Sequence, residues 1–179
     1  MSEQIVTQIK QLLATAEPPE LGPGPRDGVL PEAELNSRLA AVLGKCRLSS
    51  TRQQLVRALI LLWHDHLDAS HTISQGIENA DGSFVHAIMH RREPDAWNSK
   101  YWWRRVGNHA AFTETGTRVC KLLGDGKSDL ARQLVPGGHW DPSAFVDACD
   151  SAKDEAVIRT LREIQRIETE VLLEHFCHE

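Results

Sequence analysis

Six of the nine histidines and four of the five tryptophans fall in residues 63–109, a window of 47 residues that also carries Arg91, Arg92, Arg104 and Arg105. At about 100° per residue, Gln53, Arg57, His64, Asp68, His71 and Gln75 share one direction, and Leu55, Leu59, Leu62 and Trp63 occupy the opposite arc. His86, His90 and Glu93 repeat the same i, i+4, i+7 spacing, with Phe84, Val85, Ile88 and Met89 opposite. If the two stripes face each other, His64, Asp68, His71, His86 and His90 offer imidazole nitrogens and a carboxylate, a donor set that suits zinc or another divalent first-row metal. Three such ligands leave one position open for water, whose pKa falls to about 7 on the metal. Glu93 or Asp68 then stands as general base, and the implied chemistry is metal-assisted hydrolysis of a small polar substrate. H-x-x-x-H alone is common on helices; the second, matched stripe is what points to a site. The competing reading is a stripe that simply faces water, and the run 58–63, apolar on every side, speaks against it. His66 lies on the apolar arc and reads as a core histidine bonded to a neighbour.

After the second stripe, Asn98, Tyr101, Trp102 and Arg105 project together, an amide, a phenol, an indole and a guanidinium suited to a small polar ligand. Residues 91–105 hold five basic and two acidic side chains, a local +3 in a chain of −5, so Arg91, Arg92 and Arg105 could grip a phosphate or carboxylate. The alternative for Arg91 and Arg92 is a structural one, pairing with the acids of residues 147–179, where nine Asp and Glu outnumber four Lys and Arg. Two further functions stand beside the hydrolase: a non-enzymatic binding protein for an anionic or sugar-like ligand, and a purely structural polar core. Other chemistries lack their motifs. No histidine precedes His64, as the histidine–aspartate phosphohydrolases require; H-E-x-x-H, E-x-x-H, G-x-S-x-G and glycine-rich phosphate loops are absent. Nucleic acid could stack on Trp97, Trp102 and Trp103, but the net charge of −5 makes it an unlikely partner.

The elements that must hold these residues are helical. The first segment has Ile5, Ile9, Leu12 and Leu13 at helical spacing, and residues 17–31 follow with five of the eight prolines and three glycines. Residues 1–31 therefore read as a helical arm on a linker, and 32–179 as the domain. A second helix runs from Pro31 to Gly44, a third over 51–71 with a Ser50–Gln53 capping box, and a fourth, capped by Asp81 or Ser83, to Arg92. A fifth follows the Pro94-Asp95 break and stops at Gly107, shorter pieces come next, and Asp141-Pro142 opens another helix. The last, residues 154–178, sets Val157, Leu161, Ile164, Ile167 and Val171 on one side. No alternating run exceeds four residues, so the expectation is an all-α, single-domain bundle of seven or eight helices. No basic start with an apolar core opens the chain, and no apolar stretch reaches the roughly 20 residues of a membrane span, so the expected setting is the cytoplasm. Cys46, Cys120, Cys149 and Cys177 form no C-x-x-C pair and are expected to be free, mostly buried thiols.

In residues 90–109, H-R-R-E-P-D-A-W-N-S-K-Y-W-W-R-R-V-G-N-H, the chain resembles an uncharacterised all-helical family of bacterial and fungal proteins with no known activity. Similar chains share the H-D-x-L-D-x-S-H-x-x-Q run at 64–75, with His66 in the variable place, the D-G-S-x-x-H turn at 81–86, and W-D-P-x-x-F-V-D at 140–147. The likeness covers about two thirds of the chain; one departure is Ala110, where the family carries proline. The resemblance implies that the whole window is one site and names no reaction.

Overall fold

A computed structural model describes residues 3–124 and 128–178, and all regular structure among them is helical. The order is α1 (Glu3–Gln11), α2 (Glu32–Leu43), α3 (Ser50–Trp63), α4 (Leu67–Ser74), α5 (Ala80–Arg92), α6 (Ala96–Val106), α7 (Ala111–Leu122), α8 (Asp129–Leu134), a single 3₁₀ turn (Pro136–Gly138), α9 (Pro142–Ser151) and α10 (Glu155–Cys177). The all-α class holds, with ten α-helices among the described residues instead of seven or eight. No helix is long and apolar enough to cross a membrane among those residues.

The centre of the bundle is α5, whose residues 82–92 are all buried. One side of it is apolar (Phe84, Val85, Ile88), and it packs against α3, α4 and α6. Its start is capped by Asn79, whose side chain accepts the Gly82 N–H at 2.8 Å, not by Asp81 or Ser83, because the helix begins earlier and both of those lie within it. Gly82 permits a close approach: a Cβ there would lie 2.1 Å from the Ile77 carbonyl oxygen. Along α10, Leu161, Ile164, Val171, Leu172 and Phe176 are buried, whereas Val157 in the first turn is exposed. All four cysteines are free; Cys177 is buried and the other three are half-buried.

The expected third helix over 51–71 is two helices. α3 ends at Trp63, Asp65 takes the left-handed conformation (φ 66°), and α4 starts at Leu67 in a new direction. A non-glycine residue adopts that conformation at a cost of order 1–3 kcal/mol, which its surroundings must offset. They do so through the Asp65 carboxylate, which accepts from Arg26 N (2.9 Å), Arg26 Nη1 (2.6 Å) and Arg92 Nη2 (2.7 Å). The same hub docks the segment read as a linker. Arg92 also donates to the Leu62, Glu20 and Gly22 carbonyls, and Arg162 and Gln165 donate to those of Pro18 and Pro19. Ile9 and Leu12 are buried in the core, and α1 packs on α2 and α10. Proline-rich chain forms few backbone bonds of its own, so here long side chains of the bundle satisfy it.

Candidate metal centre

The break after α3 aims α4 across α5, and α6 folds back over the same face through the short link at 93–95. Ser99 of α6 donates to the Ala87 carbonyl at 2.7 Å and fixes the two helices side by side. Where the three helices meet, His71 of α4 stands against His86 and His90, which lie one turn apart on α5. One ring nitrogen from each of the three lies within 4.8 Å of the other two. The ring centroids are 4.6 Å apart for His71–His86, 5.4 Å for His71–His90 and 4.8 Å for His86–His90. Trp102 of α6 covers the group, stacked on His86 at 3.9 Å.

His86 and His90 are buried and His71 is half-buried. Burial, reinforced by the neighbouring His90 and His71, pushes the His86 pKa down to about 3, and burial lowers that of His90 despite the opposing pull of Glu93. These imidazoles are therefore neutral near pH 7, the form that binds a metal. The His90 Nδ1 lies 2.9 Å from Glu93 Oε2, so a proton on Nδ1 donates to the carboxylate, and the Nε2 lone pair accepts from the Asn98 amide nitrogen at 3.2 Å, a bond that a metal at Nε2 would replace. Both nitrogens of His86 are buried without a hydrogen-bond partner. A water or an ion satisfies such a group, and among the buried residues that have one, His86 is the imidazole that stands beside two further histidines.

Other residues singled out from the sequence lie elsewhere. His64 does not join the group, because the turn at Asp65 separates it from α4. Its Nε2 donates to the Leu12 carbonyl at 2.7 Å and its Nδ1 accepts the Leu30 N–H at 3.1 Å, so it fastens the N-terminal segment and has no lone pair to offer. Asp68 is likewise outside the ligand group, exposed on α4 one turn before His71. With Glu93 it lines a cleft of about 390 Å³, whose other walls include Asp65, His66 and residues 23–25 of the linker. His66 bonds the Leu30 carbonyl at 2.8 Å.

Arg91 and Arg92 are not ligand forks. Arg91 Nη2 pairs with Glu168 Oε2 of α10 at 2.6 Å, both side chains almost fully buried, and its guanidinium carbon lies 4.4 Å from the Phe145 ring. Arg92 belongs wholly to the Asp65 hub, where every bond it makes is internal. On α6 the expected face divides: Asn98 and Trp102 turn to the histidines, while Tyr101 and Arg105 are exposed, Arg105 over both the Tyr101 and Trp102 rings at 6.0 and 5.2 Å.

A second group, Asp81, His109 and His175, also has ligand atoms within 4.8 Å of one another, and nothing in the sequence spacing pointed to it. Asp81 and His109 lie at the ends of the recognised motifs, but His175 comes from the far end of α10. Asp81 Oδ1 accepts from His109 Nε2 at 2.8 Å and from His175 Nε2 at 3.0 Å. The Ala111 N–H donates to His109 Nδ1 at 3.1 Å, so the single ring proton of His109 sits on Nε2. A metal at that nitrogen would require an imidazolate. The group is a hydrogen-bonded clamp joining the start of α5 to the end of α10, and these bonds hold the Asp81 carboxyl below its ordinary range despite its burial. The His71, His86 and His90 rings carry no such conflict.

Compared with known proteins, the chain matches no family model, no curated protein and no solved structure.

Proposed function

We propose that the protein is a metal-dependent hydrolase acting on a small polar or anionic substrate, with His71, His86 and His90 as the metal ligands. The observation that carries this reading is the unpartnered His86 imidazole, buried beside His71 and His90 within ligand distance. A divalent first-row metal such as zinc, bound there, supplies a Lewis acid and an activated water. The chain's own groups do the rest. Glu93 holds His90 in the tautomer that turns Nε2 inward, and Trp102 shields His86 from water. Asp68, on the wall of the cleft and with its carboxylate unpaired among the described residues, takes the proton as general base, while Asn98 offers an amide donor for a substrate oxygen.

Elemental analysis of tag-free protein tests the reading. The expected result is about one equivalent of a first-row metal per chain, lost in His71→Ala and in His86→Ala. Substoichiometric zinc, iron, nickel and manganese together, after incubation with each, would overturn it. Metal that stays bound while chelator-insensitive ligand binding is the protein's sole activity would make it a binding protein and not a hydrolase.

A further inference from the structure

The outer face of α6 carries a feature that metal binding does not use. Trp97 is 75% exposed and Tyr101 38% exposed, and their rings are parallel to within 12° at 6.3 Å. Large aromatic rings left in water on one helix face are a common mark of a binding surface. Arg104 and Arg105 flank them, their guanidinium carbons 5.9 and 6.0 Å from the Tyr101 ring. Neither arginine has a carboxylate partner among the described residues, whereas Arg38, Arg118, Arg162 and Arg166 on other surfaces each hold one. The shelf is continuous with the histidine group, because Arg105 lies over Trp102 and Trp102 stacks on His86.

We infer that this shelf binds a nucleoside phosphate, its base stacked on Trp97 and Tyr101 and its phosphate held by Arg105 beside the Trp102 ring that covers the histidine group. Two unpaired guanidinium groups select an anion, and flat exposed rings select a flat partner, so a neutral sugar satisfies only half of the surface. From Trp97 to Arg105 the surface runs nine residues, about 12 Å of helix, enough for one nucleotide and not for a polymer track. The binding itself does not pass through the metal: Arg105 reaches the histidine group only by way of the Trp102 ring that covers it.

Isothermal titration calorimetry of the full chain in chelator measures this binding without the metal. Adenosine monophosphate is the probe, with adenosine and ribose 5-phosphate as its two halves. Expected are binding of the whole nucleotide, each half weaker by about tenfold or more, and a loss of about tenfold in Trp97→Ala. Arg105→Lys should weaken binding several-fold with a nearly unchanged melting temperature, since lysine keeps the charge over the rings but loses the two-pronged geometry, and the exposed side chain holds no carboxylate. No binding heat, equal affinity for the nucleotide and ribose 5-phosphate, or an unaltered affinity in Trp97→Ala would each overturn the inference. Because these titrations contain no metal, their failure leaves the metal analysis untouched, and an empty metal analysis leaves them standing.

Discussion

Replacing His86 by phenylalanine should stabilise the metal-free protein. The wild-type imidazole keeps two buried nitrogens without partners, and leaving one polar group unsatisfied in the interior costs about 1–3 kcal/mol. Phenylalanine removes that penalty and keeps a flat ring against Trp102, at a repacking cost of about 1 kcal/mol for the larger ring. The balance is a gain of up to about 2 kcal/mol, or up to roughly 6 °C in melting temperature for a chain of this size. His64→Phe should do the opposite. It strands the Leu30 N–H and the Leu12 carbonyl, a loss of about 2–4 kcal/mol. Thermal melts followed by circular dichroism, in chelator and then with zinc, separate the two. Zinc at about 100 times its Kd should raise the wild type by about 2.7 kcal/mol and leave His86→Phe unmoved. If His86→Phe instead melts several degrees lower in chelator, the imidazole is bonded within the fold, and His86 is architecture.

Three more outcomes follow from the packing. Arg91→Met should cost about 3–5 kcal/mol in urea unfolding by stranding the buried Glu168 carboxylate, and adding Glu168→Leu should recover much of it. Gly82→Ala should cost about 3 kcal/mol, because its Cβ would sit 2.1 Å from the Ile77 carbonyl oxygen and the backbone there must shift; an unchanged midpoint would contradict the close approach. Burial holds the His64 pKa below its ordinary value of 6.5, so the unfolded chain binds the proton more readily than the folded one. That stability is complete above pH 6.5 and is lost as the pH falls towards the lowered folded value, so the urea midpoint should be higher near pH 7.5 than near pH 5.5, with a smaller difference in His64→Phe.

Local order in the chain was enough for the helical class, for most helix ends and for the pairing of His86 with His90. These depend on interactions within one or two turns: Asp95, Asp141 and Asp154 each cap the helix that follows them, and an i, i+4 pair keeps one face wherever the helix goes. His71 was legible as a partner, and so was the return of α6 over α5, since a short link leaves two helices little choice but to pack side by side.

The rest was decided at long range. The stripe of His64, Asp68 and His71 assumed one continuous helix, and nothing within 51–71 forbids it. The helix stops because the Asp65 carboxylate is engaged by Arg26 and Arg92, 39 and 27 residues away, and those charges meet only when the linker is wrapped and α5 is in place. That turn takes His64 out of the group and brings His71 into it. The same holds for Arg91 and Glu168, separated by 77 residues, and for the clamp of Asp81 with His175, separated by 94. Residue types and spacing thus determined which side chains could do chemistry. Which of them stay unpartnered was set by tertiary structure, because a buried polar group takes whatever partner the packed chain brings to it, and His86 was brought beside His71 and His90 with neither ring nitrogen bonded.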